Sequence, residues 1–296
     1  MEIRAANDED TAAVVALLRE ADDARVLSEE GLQQMRKSRP ERGKLLDLVA
    51  VDDGRVVACG AAGLNLMTSE PGAAWAFVTV ASDRRGEGIG TAVGEALLEH
   101  LRSVGALKVT SFIRHTDEGE RWATARGWSR VLGGPLIALD PRDVPAPEPP
   151  DGFVCARMGD VSPRALYEAV CEAALDEPAA TTNDSIEFDE FLLELENPDT
   201  DLASSAVVLD GDDVAAFAFL KVAGARAQHV FTGTRRAYRG RGLATAAKRF
   251  ALRALAEKGV TRITTSNAEE NAAMRAINRR LGFEQIGEHV ILARDL

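Results

Sequence analysis

The chain has 296 residues, more than one hydrophobic core usually organises, so about two domains are expected. Its net charge of −12 excludes the basic footprint that general nucleic-acid binding requires. No apolar run approaches the ~18 residues of a membrane span. With aromatics at only 5 % and alanine abundant, the cores are expected to be built from small aliphatic side chains. Cys59, Cys155 and Cys171 show no metal-ligand or redox spacing, and Met1–Arg4 does not open a secretory leader. These features predict reduced thiols, no metal and a soluble cytoplasmic protein.

In chain order, a short strand at Glu2–Arg4 precedes an Asn-Asp-Glu-Asp cluster suited to capping a helix. That helix is expected over 11–21, with Val14, Leu17 and Leu18 at helical spacing, and a second over 28–38. The period then changes to two. Strands at 45–51 and 55–60 flank Asp52-Asp53-Gly54, a hairpin signal. A strand at 73–80 leads into Arg84-Arg85-Gly86-Glu87-Gly88-Ile89-Gly90. A helix follows with Ile89, Val93, Leu97 and Leu101 on one face. Strand 107–113, helix 118–126, Gly127-Trp128 and strand 131–139 complete the half.

Residues 141–151 hold five of the 11 prolines and read as a stiff, extended linker outside any core. The pattern then begins again. Strand 152–157, helix 163–174 and helix 185–196 come first. Strands 206–209 and 214–222 flank Asp210-Gly211-Asp212-Asp213. Strand 227–234 leads into Arg239-Gly240-Arg241-Gly242-Leu243-Ala244 and a helix to Lys258. Strand 260–265, helix 272–280, Gly282-Phe283 and strand 288–293 end the chain. Arg85 and Arg239 lie 154 positions apart, and Trp128 and Phe283, each after a glycine, lie 155 apart. The same landmarks recur in the same order, which marks a duplicated domain. The expected division is 1–143, a linker at 144–151, and 152–296.

The two loops share the spacing Arg-x-x-Gly-x-Gly/Ala: Arg85, Gly88 and Gly90, then Arg239, Gly242 and Ala244. A glycine bend at a helix start suits an anion, because first-turn N–H groups are unpaired and the helix dipole is positive there. A P-loop would need Gly-Lys-Ser/Thr, which is absent. A dinucleotide fingerprint would sit early in a βαβ repeat, whereas these loops follow hairpins.

This combination resembles the GNAT-type N-acetyltransferases, in tandem, over residues 1–140 and 152–296. The resemblance rests on the loops together with Thr232, Lys248, Asn267, Asn271, Met274, Asn278 and Leu281-Gly282-Phe283. It implies an α/β fold of two GNAT-like domains. Each would hold a mixed, mostly antiparallel sheet with a splayed central strand pair flanked by helices. It implies acetyl-CoA as acetyl donor, its pyrophosphate on the loop and its pantetheine arm in the splay. The residues so implicated are Thr234, Arg239, Gly240, Arg241, Gly242, Leu243, Ala244, Asn267 and Asn271 in the second half. In the first half they are Val80, Arg85, Gly86, Gly88 and Gly90. Thr116 stands where the second half has Asn271, and Glu87 stands where it has Arg241. The second half is therefore expected to be the competent copy and the first to be degenerate.

An alkylamine with a pKa near 10.4 must lose a proton before it attacks a thioester, at a cost of roughly 4.6 kcal/mol at neutral pH. The family's usual base position falls on Gln228, matched by Ala74 in the first half, and its usual acid position on Asn278, matched by Ala123. Gln228 and Asn278 are thus the candidate catalytic residues, though neither is an ordinary base or acid. Strict alternation turns His229 to the opposite face from Gln228. Acids on the 185–196 helix (Glu187, Glu190, Glu194) or the Leu296 carboxylate are other candidate bases. The expected reaction is acetyl transfer to a primary amine of a small molecule by direct attack in a ternary complex, by a monomer or homodimer with no nucleic-acid or membrane partner. The alternatives are a catalytically idle acyl-CoA-binding protein and an acetyltransferase of protein N-termini or lysines.

Overall fold

The period-two stretches of both halves form strands in the computed structural model, which describes residues 1–296. In the first half the elements are β1 (Glu2–Ala5), α1 (Thr11–Ala21), α2 (Glu29–Lys37), β2 (Leu46–Asp52), β3 (Arg55–Leu64), β4 (Ala73–Val80), α3 (Ile89–Ser103), β5 (Lys108–Arg114), α4 (Asp117–Thr124) and β6 (Ser129–Leu139). In the second they are β7 (Val154–Arg157), α5 (Pro163–Ala174), α6 (Phe188–Leu195), β8 (Ala206–Asp210), β9 (Asp213–Ala223), β10 (Arg226–Thr234), α7 (Leu243–Glu257), β11 (Arg262–Ser266), α8 (Ala272–Leu281) and β12 (Glu284–Asp295).

Local chemistry sets these elements. Asn7 and Asp10 cap each other's backbone ahead of α1, and Ser28 caps α2. Asp53 and Gly54 both take positive φ (47° and 76°), the geometry of a tight hairpin between β2 and β3. The apolar stripe of α3 (Ile89, Val93, Leu97, Leu101) covers alanines and valines of β2, β3 and β4. The stripe of α7 (Leu243, Ala247, Ala251, Leu255) covers Ala216, Ala218 and Leu220 of β9 and Ala227 of β10. Burying each of these leucines contributes roughly 1.5–3 kcal/mol. The opposite sheet faces are covered by α1 and α2 in the first half and by α5 and α6 in the second.

The chain forms two units. One comprises Met1–Gly133, Ala180–Ser185 and His289–Leu296, the other Gly134–Ala179 and Ile186–Glu288. In the first, β1 to β5 lie in sequence order and His289–Asp295 of β12 pairs antiparallel with β5. In the second, β7 to β11 lie in order and Leu136–Leu139 of β6 pairs antiparallel with β11. The closing strands are therefore exchanged: 131–139, expected to close the first repeat, supplies the end strand of the second unit. A repeat pattern does not distinguish the two arrangements, because strand pairing is non-local and either closing strand presents the same alternation.

Three further differences have local causes. The helix expected from Ser185 starts at Phe188. Residues 180–185 instead bind the turn after β3, where Ser69 N and Oγ donate to Asp184 at 2.7 Å and Thr182 N donates to Glu70 at 3.0 Å. The start of the proline-rich stretch is not outside the core: Pro141 and Val144 are buried, Val144 in the cluster under α7. The Leu296 backbone N–H bonds the Leu107 carbonyl and its side chain packs on the first unit's core, so its carboxylate does not line the second unit's cleft.

Both units have the splay. β4 pairs in parallel with β5 only from Ala73 to Trp75, then the two strands part. β10 pairs with β11 only from Arg226 to Gln228. β10 also carries a bulge: the ladder with β9 passes from His229 directly to Phe231 and leaves Val230 unpaired. The β3–β4 ladder runs from Ala58 to Val80 with no such shift.

Candidate active site

Each glycine loop closes one end of a splay. Gly86 and Gly88 take φ of 81° and 83°, and Gly240 and Gly242 take 78° and 82°, so both loops bend through the same left-handed pair. The first intrahelical bonds of α7 run from Thr245 and Ala246 to the Gly242 carbonyl, at 3.0 and 3.1 Å. The N–H groups of Gly242, Leu243 and Ala244 stand ahead of them at the positive end of the helix. The α3 loop repeats this, with Thr91 and Ala92 bonding the Gly88 carbonyl. A Cβ on Gly90 would meet Val80 at 3.1 Å, so a small residue is needed where helix and strand meet, and Ala244 holds that place in α7.

In the second unit the gap is a cleft of about 630 Å³. Of the expected residues, Thr234, Arg239, Gly240, Gly242, Leu243, Ala244, Asn267 and Asn271 line it. Arg241 does not; its guanidinium lies 5.9 and 5.7 Å from the centroids of Phe153 and Tyr238. Arg239 donates to the Thr234 carbonyl at 3.1 Å and pairs with Asp176 at 2.6 Å. Arg236 and Arg239 together hold the Asp176 carboxyl far below its ordinary range. Asn271 caps α8, its side chain accepting from Met274 N at 3.1 Å, and Thr116 caps α4 in the same way. In the first unit Val80, Arg85, Gly86, Gly88 and Gly90 all line a cleft of about 400 Å³. Glu87 is held by Arg84, with bonds of 2.9–3.1 Å, and is outside that cleft's lining.

The candidate catalytic pair is placed differently from the expectation. Gln228 lies in the last paired rung of β10 and β11 and does not line the cleft. Asn278 is 1 % exposed and donates its Nδ2 to Asn267 at 2.5 Å; its Oδ1 is buried without a partner. Asn278 thus supports Asn267, which does line the cleft. None of Glu187, Glu190 and Glu194 lines it either, and Glu194 pairs with Lys221 at 2.8 Å.

His229 and Lys248 line the cleft instead. Alternation does turn His229 away from Gln228, but toward α7, beneath the gap. It is 3 % exposed, neither ring nitrogen has a partner, and burial followed by the nearby Lys248 charge depresses its pKa well below the ordinary histidine value. Lys248 is 1 % exposed, and burial pushes its amine down to about 7. Its Nζ lies over the Phe283 ring, 5.6 Å from the centroid. Sequence spacing recovers neither residue's role. The bulge is invisible in the pattern, and a lysine one turn into a helix ordinarily reads as exposed.

The acetyltransferase (GNAT) family profile matches residues 13–125 and 164–283, and the chain belongs to that family, whose members use acetyl-CoA to transfer acetyl groups. The fold is similar to the GCN5-related N-acetyltransferase of Sphaerobacter thermophilus, with a TM-score of 0.74 and 21 % identity over 99 % of this chain and 95 % of that one. It is similar also to a tandem GNAT protein from the clavulanic acid biosynthesis pathway, solved without acetyl-CoA. There the TM-score is 0.76 and the identity 22 %, over 99 % of this chain and 98 % of that one. At these identities the likeness is one of fold. No curated protein matches the sequence. No helix is long and apolar enough to cross a membrane.

Proposed function

We propose that the chain is an acetyl-CoA-dependent N-acetyltransferase that acts on a primary amine of a small-molecule acceptor, in the cleft of the second unit. The observation that carries this reading is the bulge at Val230, set where β10 leaves β11, with Val230 and the loop residues Gly240, Gly242, Leu243 and Ala244 lining one cleft. A residue skipped by the ladder frees a strand amide beside the gap, and such an amide is suited to polarising a carbonyl. The first unit has the loop without the bulge. Acetyl-CoA, when bound, supplies an activated thioester. The chain's part is to hold the pyrophosphate on the N–H groups of Gly242, Leu243 and Ala244, to seat the arm between Thr234 and Asn267, and to position the amine for direct attack.

Calorimetric titration with acetyl-CoA tests this reading, together with thiol release over an amine panel. Gly242→Trp is expected to lower the affinity about a hundredfold, the equivalent of two charge-assisted hydrogen bonds. Full affinity in that variant, or no binding by the parent, overturns the reading. A second reading is favoured by Gln228 and Asn278, one outside the cleft and the other locked to Asn267. It makes the protein an acyl-CoA binder without turnover, and tight binding with no thiol release across the panel would establish it.

A further inference from the structure

The floor of the second cleft holds two polar groups that the transfer reaction does not use. His229 has both ring nitrogens buried and unpartnered. Lys248 is fully enclosed and meets the Phe283 ring rather than a carboxylate. The Phe283 ring neighbours both, its centroid 6.3 Å from that of His229 and 5.6 Å from Lys248 Nζ. The scaffold does not require polar groups there. By strand register His229 matches Ala76 of the first unit, since Gln228 pairs with Thr264 as Trp75 does with Thr110. By helix position Lys248 matches Gly94, where an added Cβ would stand 3.8 Å from the Trp122 ring, so a side chain longer than alanine's would meet the indole. The first unit thus has alanine and glycine at the matching positions, beside the Trp122 indole, around a separate small cavity. Enclosing an unpaired ammonium costs several kcal/mol unless it is neutralised or meets an anion.

We infer that Lys248 and His229 form a carboxylate-binding subsite in the floor of the second cleft, receiving a carboxylate carried in on the acyl chain of the donor or on the acceptor amine. One ammonium and one imidazole N–H match the two oxygens and single charge of a carboxylate. The only ionisable group whose charge acts on the pair from another element is the pair's own partner: His229 on β10 faces Lys248 on α7. The other ionisable groups of the lining are Asp176, Glu177, Tyr238, Arg239 and Arg280, of which Asp176 and Arg239 bind each other. A carboxylate at this subsite returns Lys248 to its charged form, so binding takes up a proton at pH 8. The inference rests on the acetyltransferase reading only for how the carboxylate arrives.

The test is calorimetry at pH 8 in two buffers of different ionisation enthalpy, using acetyl-CoA, succinyl-CoA and free succinate on the full chain and on Lys248→Met. Lys248→Gln serves as a second variant should the first fail to fold. Succinyl-CoA is expected to bind at least tenfold more tightly than acetyl-CoA, with proton uptake, and both the preference and the uptake are expected to vanish in the variant. If the acceptor carries the carboxylate, thiol release from acetyl-CoA shows the preference instead, as L-alanine over ethylamine, with the same dependence on Lys248. No preference in either arm, or one that survives in both variants, overturns the subsite. If no coenzyme A ester binds, the acetyltransferase reading alone falls and succinate decides. Lys248-dependent binding of succinate retains the subsite, and its absence removes it.

Discussion

In the first unit Ala76, Gly94 and Trp122 line a small separate cavity of about 140 Å³, and the cleft at the Gly86–Gly90 loop has Asp22 in its lining, held by a buried histidine. His289 Nε2 and Asp22 Oδ2 lie 3.0 Å apart. In the second unit the matching positions put His229, both ring nitrogens unpartnered, and Lys248, over the Phe283 ring, into the cleft lining, and the strand above has one residue more than its counterpart. The loops at the ends of both gaps are nearly superimposable in φ. Duplication therefore preserved the glycine-loop end, where backbone geometry is shared. The floors diverged, because side chains there are free to change as long as volume is kept.

The comparison can be broken most severely by deleting residues 289–296. This removes the partner of β5 and the buried Val290, Leu292 and Ala293. At roughly 1.5–3 kcal/mol for each large side chain and with a whole ladder lost, the first unit is expected to unfold. Hydrogen exchange should show β5 unprotected while α7 keeps its protection. Equal protection of β5 in the deleted chain would contradict the strand assignment.

The next effect lies in the second floor. The Lys248 amine is held near 7 when folded against 10.5 when unfolded, so the unfolded state binds the extra proton between those values and stability rises with pH across that window. Lys248→Met should stabilise the protein below pH 7 by on the order of 4 kcal/mol, with the gain shrinking toward pH 10.5. Denaturant melts of both proteins from pH 6 to 10 would measure it; a gain independent of pH rules it out.

The ion pair of the first unit has the opposite sign. Burial raises the Asp22 carboxyl, but the bond from His289 and its charge outweigh this and leave the pKa below the ordinary value. Its contribution is present above the unfolded pKa and lost as pH falls through the folded one. Asp22→Asn should cost about 1–3 kcal/mol at pH 6 and progressively less in acid. The smallest expected effect concerns the matched caps. Asn271→Ala and Thr116→Ala should each cost ~1 kcal/mol in thermal melts, since each side chain satisfies one first-turn amide of its helix.

Much of this molecule is legible in the residue order. The hairpin at Asp53-Gly54, the stripes of α3 and α7, and the paired glycines of both loops are local features, and the local rules of turn and period place them within a residue or two. The 154-residue repeat marks the duplicated fold in the residue order alone. What fails is anything that depends on the face of a strand after an irregularity. The loop-based offset carries Gln228 onto Ala74, whereas the strand register carries it onto Trp75, because the bulge at Val230 inserts one residue between the two landmarks.

The sequence by itself determined the elements, their order, the duplication and the two glycine loops, since each is written in neighbours a few positions apart. Only the tertiary structure decided three further things. It assigned which closing strand serves which unit, because β pairing joins residues that sequence leaves distant. It set the register that puts His229 rather than Gln228 in the cleft lining, because the unpaired Val230 shifts the strand by one residue relative to the loop. And it showed that Lys248 is enclosed without a counter-charge, because burial is a property of what packs around a helix and not of the helix.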